Sequence, residues 1–354
     1  MDIKKLFKKA ADENSSDIHF IVNSVPVLRK DGKLIYLDNN KAVVDAELKK
    51  EIYSILTDDQ KKRFEADHDL DFSYSLDKSR FRINIYKEKG NISLAARIIC
   101  ESKPSLAEIQ MPEFAKDLLN SDNKGLILVT GPTGCGKSTT LAAMINHINK
   151  NHKKNIITLE DPIEFIFKPQ KSIISQRQLG TDITSFSSGL KHVLRQDPNV
   201  IMVGEMRDLE TIATTITLAE TGHLVLATLH TYNAAQTVDR IIDIFPSHQQ
   251  NQIRSQIAST LKAVFSQMLI PKIGGGRIAA REIMIKNAAI SNLIRENKIS
   301  QIGSIIETNK DIGMTTMDYE LKRLYNEGLI SKDDAVCRME NPEYLAKTIK
   351  QRRY

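Results

Sequence analysis

The stretch that decides the reading is Leu126-Ile127-Leu128-Val129-Thr130-Gly131-Pro132-Thr133-Gly134-Cys135-Gly136-Lys137-Ser138-Thr139-Thr140-Leu141-Ala142-Ala143-Met144-Ile145. It opens on an unbroken apolar run, as a strand buried on both faces does. Residues 131–138 then fit GxxxxGK[ST], and a helix pattern leaves from Thr139. Glycines in a strand-to-helix turn let backbone N–H groups converge on phosphate oxygens, and the helix N-terminus adds partial positive charge. The context predicts a phosphate-binding loop made of Gly131, Pro132, Thr133, Gly134, Cys135, Gly136, Lys137, Ser138 and Thr139. Lys137 is expected to reach the β- and γ-phosphates, and the Ser138 hydroxyl to ligate magnesium.

Outward from this loop, further apolar runs alternate with helical segments. Ile156-Ile157-Thr158-Leu159, Val200-Ile201-Met202-Val203 and Leu224-Val225-Leu226-Ala227 read as strands of the same parallel sheet with crossover helices. Ligands of such sheets bind beyond the carboxyl ends of the strands. Those ends carry the chemistry here: Glu160-Asp161-Pro162-Ile163-Glu164 after the second run, Gly204-Glu205 after the third, and His230 after the fourth. One carboxylate would order the magnesium shell and another would orient or deprotonate a water. Glu205 is placed near the metal with Glu160, Glu164 as base, and His230 as a γ-phosphate sensor. Spacing alone does not partition these roles, and any single acid could be a cap or a solvated strand end.

The first hundred residues have a different character. Ile3, Leu6, Phe7 and Ala10 recur at helical spacing, short alternating runs follow, and Ala46 to Phe64 reads as one helix. In Ser79-Arg80-Phe81-Arg82-Ile83-Asn84-Ile85-Tyr86, period two sets Arg80, Arg82 and Asn84 on one face and Phe81, Ile83 and Ile85 on the other. Arg97 lies on a later strand. These arginines are either a solvated basic face or guanidiniums that reach a nucleotide held by a neighbouring subunit. Glu101-Ser102-Lys103-Pro104, with Pro112 beyond, breaks the pattern and marks a linker. Beyond Pro271, the Gly274-Gly275-Gly276 turn and the strand-like Ile278 to Ile285 close the sheet region. Helical segments follow from Asn287, punctuated at Gly303, Gly313, Gly328 and Pro342.

Composition removes several classes. A chain of 354 residues allows two or three domains at about 150 residues each. Fifty Lys and Arg against 44 Asp and Glu leave a formal charge of +6, which permits an anionic partner without demanding one. Three scattered cysteines, Cys100, Cys135 and Cys337, make neither a disulfide framework nor a zinc site. No apolar run approaches the ~18 residues of a membrane span, and no signal peptide is expected. No stacking-rich basic groove is legible and Trp is absent, so nucleic acid is not an expected partner.

Several motifs together resemble the type IV pilus retraction ATPases of the PilT kind, within the secretion ATPase superfamily, over nearly the whole chain. Ser15-Ser16-Asp17-Ile18-His19 is similar to the N-terminal signature and Arg80-Phe81-Arg82 to the arginine-finger strand. Residues 131–138 resemble Walker A, Ile157 to Glu164 the Asp box, and Val203-Gly204-Glu205-Met206-Arg207-Asp208 Walker B. Thr221-Gly222-His223 through Leu229-His230-Thr231 resembles the His box. Cys135 stands where the family commonly has Ser, and Ser291 replaces an arginine in the AIRNLIRE-like run Ala289 to Glu296.

The resemblance implies an α/β protein: a smaller N-terminal α+β (PAS-like) domain at 1–103, a linker at 104–112, a RecA-like P-loop NTPase core at 113–285 and C-terminal helices at 286–354. It implies a homo-oligomer, usually a hexamer, that binds ATP and Mg2+, takes arginines across subunits and drives an inner-membrane pilus platform protein. The expected location is cytoplasmic, peripheral to the inner membrane. The short N-terminal domain, the missing tetracysteine loop and Gly313-Met314-Thr315-Thr316-Met317-Asp318 favour retraction. The alternatives are an extension, accessory or type II secretion motor, a nucleic-acid-dependent RecA-like translocase, or a scaffold that binds ATP with little hydrolysis.

Overall fold

The computed structural model describes residues 1–13, 15–30, 33–38, 40–77, 79–99, 103–120, 124–343 and 345. Cys100, the Asp31-Gly32 turn, Glu101-Ser102 and the tail beyond Leu345 lie outside them. The chain divides into two compact units, Met1–Ser102 and Lys103–Tyr354.

In the first unit the order is α1 (Ile3–Asp12), β1 (Asp17–Phe20), β2 (Val27–Lys30), β3 (Lys33–Tyr36), α2 (Asp45–Ile55), α3 (Asp58–Asp67), β4 (Asp69–Leu76), β5 (Ser79–Glu88) and β6 (Asn91–Ile99). The six strands form one antiparallel sheet in the order β3-β2-β1-β6-β5-β4. α1 buries Ile3, Leu6, Phe7 and Ala10, and the Phe7 ring stacks on Phe81 at 4.7 Å between centroids. Phe81, Ile83 and Ile85 are buried, which leaves Arg80, Arg82 and Asn84 on the opposite face as alternation requires. The single helix expected over Ala46 to Phe64 is instead two. Thr57 starts the second with a capping box: its side chain accepts from Gln60 N–H, and the Gln60 side chain accepts from Thr57 N–H. Satisfying both orphan donors makes a new start more favourable than continuing the first helix.

The second unit contains α4 (Phe114–Leu118), β7 (Gly125–Thr130), α5 (Lys137–Asn151), β8 (Asn155–Glu160), β9 (Ile173–Gln178), α6 (Phe186–Val193), β10 (Val200–Val203), α7 (Leu209–Glu220), β11 (Leu224–Leu229), α8 (Ala234–Asp243), α9 (Ser247–Thr260), β12 (Leu261–Pro271), β13 (Arg277–Ile285), α10 (Ala288–Arg295), α11 (Ile302–Thr308), α12 (Met317–Asn326) and α13 (Lys332–Val336). Its seven-stranded sheet runs β13-β12-β7-β11-β10-β8-β9. Six strands are parallel, and β13 pairs antiparallel with β12. The four apolar runs read from the sequence are parallel strands, and the Gly274-Gly275-Gly276 turn folds β13 back on β12, which makes the sheet mixed. Helices cover both faces, as the wholly buried β7, β10 and β11 demand. One apolar core joins Leu128, Val225 and Val264 to α7 to α10, and the other joins Ile127, Leu226 and Phe265 to α5. A third cluster docks Leu321 and Leu324 of α12 on Ile270 and Ile278. Gly303 lies inside α11 rather than between helices, whereas Gly313 and Gly328 follow helix ends with positive φ. Among the described residues no helix is long and apolar enough to cross a membrane.

Candidate active site

The predicted phosphate loop joins β7 to α5. At Gly131 φ is 139°, and a Cβ there would lie 2.2 Å from the Gln267 carbonyl oxygen, so only glycine fits. Gly136, at φ 90°, is the N-cap of α5, and Lys137 is its first residue. Gln267, almost wholly buried on β12, holds the loop from behind: its Nε2 donates to Cys135 O at 2.8 Å and its Oε1 accepts from Thr140 Oγ1 at 2.9 Å. The Cys135 thiol is buried, and burial pushes its pKa up, so it stays protonated. Ser138 and Thr139 are half-buried in the first turn of α5. Lys137 Nζ donates to Gly131 O at 2.7 Å and to Pro132 O at 3.0 Å. Burial lowers the Lys137 pKa, against the opposing charges of Glu205 and Glu164.

The neighbouring strands deliver the acids and the histidine. β11 lies beside β7, then β10, then β8, and all are parallel, so their carboxyl ends share one edge. Glu205 Oε1 takes His230 Nε2 at 2.9 Å and Glu205 Oε2 takes Arg207 at 2.8 Å. Burial pushes the Glu205 carboxyl up, but the Arg207 hydrogen bond and the charges of His230, Arg207 and Lys137 outweigh it and hold the group below its usual range. Glu205 is therefore ionised at neutral pH. Glu160 has the opposite environment. It is buried, burial raises its pKa, and its Oε1 already accepts from Thr158 Oγ1 at 2.7 Å and Gln176 Nε2 at 3.0 Å. The backbone N–H of Glu164 donates to it as well. Glu164 itself is exposed, close enough for its charge to act on Lys137. His223 sits at the other end of β11, bonded to Leu218 O at 2.9 Å.

The structure thus brings together Lys137, Glu164, Glu205 and His230. Sequence reasoning missed Gln267, and it quoted Arg207 without giving it a place in the site. The Arg207 signal was present, two residues beyond Glu205 on a strand end. Gln267 had none, because its strand was not foreseen.

Arg80, Arg82 and Arg97 belong to the first unit. There the register sets Ser73, Arg82, Arg97, Asp17 and Arg29 in one cross-strand row. Arg97 Nε meets Asp17 at 2.9 Å and Arg82 Nε lies 3.7 Å from Asp71. Arg97 is exposed and Arg82 half-buried beside an exposed Asp71, so such pairs contribute only about 0–1 kcal/mol each. Ser291, where the family motif has arginine, is buried on α10 and donates to Ala258 O at 3.1 Å.

The model of the family described as "Type II/IV secretion system protein" matches residues 1–316. The type IV pilus retraction ATPase PilT of Pseudomonas aeruginosa is 43% identical over 344 residues, 97% of this chain and 99% of that protein. The chain belongs to the PilT family of type IV pilus retraction ATPases. A twitching motility protein of Neisseria gonorrhoeae is 42% identical, covering 97% of this chain and 92% of its own. The crystal structure of the pilus retraction motor PilT with bound ADP superimposes with a TM-score of 0.92 at 42% identity, covering 98% and 99% of the two chains. The α/β architecture with an N-terminal domain and C-terminal helices is that of the secretion ATPases.

Proposed function

We propose that this protein hydrolyses ATP to ADP and phosphate with Mg2+, as a homo-oligomeric ring, usually a hexamer in this family, and couples the cycle to retraction of a type IV pilus. The observation that carries the reading is the convergence of Lys137, ionised Glu205 and His230 on adjacent strand ends. Gly131 to Thr139 would bind the triphosphate through backbone N–H groups, with Lys137 neutralising its terminal oxygens. A magnesium ion fits the Ser138 hydroxyl and the Glu205 carboxylate, since the latter is ionised and partly exposed; bound there, it would supply charge neutralisation of the phosphates. Glu160, with its Oε1 already engaged, suits a role supporting this edge better than direct ligation. Glu164 would orient or deprotonate the water, and His230 would report the terminal phosphate to Glu205. Arg80, Arg82 and Arg97 would stabilise developing phosphoryl charge on a nucleotide bound by a neighbouring copy. The partner would be an inner-membrane pilus platform protein on the cytoplasmic side.

The test is phosphate release by the purified full chain with ATP and Mg2+. Lys137→Ala and Glu205→Gln should each reduce turnover at least ~100-fold, the scale of losing a phosphate clamp or a charge-stabilising group. Wild-type turnover in either variant would refute the assignment. Deleting the gene should give hyperpiliated cells that do not twitch; bald cells would indicate an assembly motor instead.

A further inference from the structure

Glu282 lies on β13, outside the residues assigned above, and the sheet aligns it with the site. Leu229, Thr130, Ser266 and Glu282 are successive partners across β11, β7, β12 and β13. Leu229 immediately precedes His230, and Thr130 immediately precedes the phosphate loop. Thr130 Oγ1 donates to Ser266 Oγ at 2.8 Å, a buried polar pair in the middle of the row. At its end, Glu282 Oε1 accepts the Ala234 N–H, the first of α8, at 2.8 Å. The Met317 N–H, the first of α12, donates to the same carboxylate. A carboxylate is favoured at a helix N-terminus by the unsatisfied N–H groups and the helix dipole, and here two helices converge on one.

We propose that Glu282 is a positioning residue for ATP hydrolysis: by pinning the first turn of α8 against α12, it fixes the 230–233 connection and so holds His230 on Glu205. Three residues separate His230 from Ala234, and they are tied down locally by Asn233, which accepts from Gln236 N–H at 2.8 Å, and by the Thr231–Thr237 hydroxyl pair at 2.7 Å. The Glu282 contact ties this turn to β13 by a hydrogen bond.

The groups around Glu282 make the device sensitive to protonation. Asp318 faces it from α12 and Glu340 from the segment after α13, while β12 presents uncharged Ser266 and the first turn of α8 carries no charge. Arg281, next along the strand, alternates to the opposite face. Burial, with Glu340 and Asp318 adding, raises the Glu282 pKa to about 7. Ionised, its oxygens accept from both helices; protonated, one oxygen becomes a donor.

The inference rests on the ATPase reading. The experiment is steady-state ATP hydrolysis by the full-length oligomer between pH 6 and 8.5, for wild type, Glu282→Gln and Glu282→Leu, with melting temperatures alongside. Wild-type kcat should rise with pH through an apparent pKa near 7. Glu282→Gln should lack that limb and fall roughly 3- to 10-fold below wild type at pH 8, with KM for ATP within about twofold; Glu282→Leu should lose more than about 10-fold, on the scale of a misplaced catalytic group. An unaltered pH profile in Glu282→Gln, or full kcat in folded Glu282→Leu with only the melting temperature changed, overturns the proposal. Wild-type protein without turnover overturns the ATPase reading along with it.

Discussion

Replacing Glu282 by Gln should make the stability of the second unit, measured against wild type, rise as the pH goes from acid to alkaline. The carboxyl titrates at about 7 in the folded chain against 4.5 ordinarily, chiefly through burial. A raised folded pKa means that the folded state holds a proton the unfolded state has released. Its contribution is full below 4.5, declines as pH rises toward 7, and is gone above. At ~1.4 kcal/mol per tenfold, the displacement corresponds to about 3 kcal/mol, of which about 2.5 kcal/mol falls between pH 5 and 8. Gln cannot ionise, so it escapes this loss. Any fixed cost of an amide facing Ala234 and Met317 is the same at every pH and cancels in the comparison. Urea unfolding of both proteins at pH 5, 6, 7 and 8, followed by circular dichroism, measures the difference. Glu282→Gln should gain on wild type by about 2 to 3 kcal/mol across that range. A difference independent of pH, or one that shrinks as pH rises, would refute the argument. Ionising the carboxyl in its folded surroundings thus costs stability that the neutral amide does not lose as pH rises.

Gln267→Leu should lower stability by roughly 1–3 kcal/mol, because Cys135 O and Thr140 Oγ1 lose their buried partner. It should also weaken ADP binding, read as a smaller ADP-induced rise in melting temperature. Gly131→Ala should abolish binding of a fluorescent ADP analogue, since its Cβ would sit 2.2 Å from a backbone oxygen at a φ of 139°. Retained affinity would show that the loop can move away from β12.

How far the sequence could be read follows from where each signal sits. β7, β8, β10 and β11 were legible because strands covered on both faces are continuous apolar runs, and the polar residues that end them point at the site. The β5 face was legible because alternation is local. β12 was not, because Leu261 follows Thr260 of α9 with no turn residue between them, and Ser266 and Gln267 interrupt the apolar pattern. Their partners are Thr130 and the phosphate loop, more than a hundred residues away in sequence. A buried polar pair explains itself only once the register is known. The same holds for Glu282, whose partners at the starts of α8 and α12 lie far before it and far after it in sequence. Thr57 was a different failure: the capping signature Thr57-Asp58-Asp59-Gln60 was present, but the apolar spacing across it was read as continuous.

Glu160 and Glu205 show what packing adds to a motif. Glu160 ends β8 and Glu205 lies just past β10, two strands paired in register, and from sequence both are placed at the metal. Their surroundings separate them. Glu160 is buried, and burial disfavours its charged form more than the hydrogen bonds from Thr158 and Gln176 favour it. Glu205 is buried less and lies between a guanidinium and an imidazole, with the Lys137 ammonium acting on it from the loop, so its charge is favoured. Two acids on adjacent strands driven in opposite directions are two different chemical groups at neutral pH. On the proposed reading, the ionised one meets the cation and its phosphates, while the other keeps the strand end rigid. The partition is set by how deeply each carboxyl is buried and by the Arg207 guanidinium, neither of which the phosphate-loop motif contains.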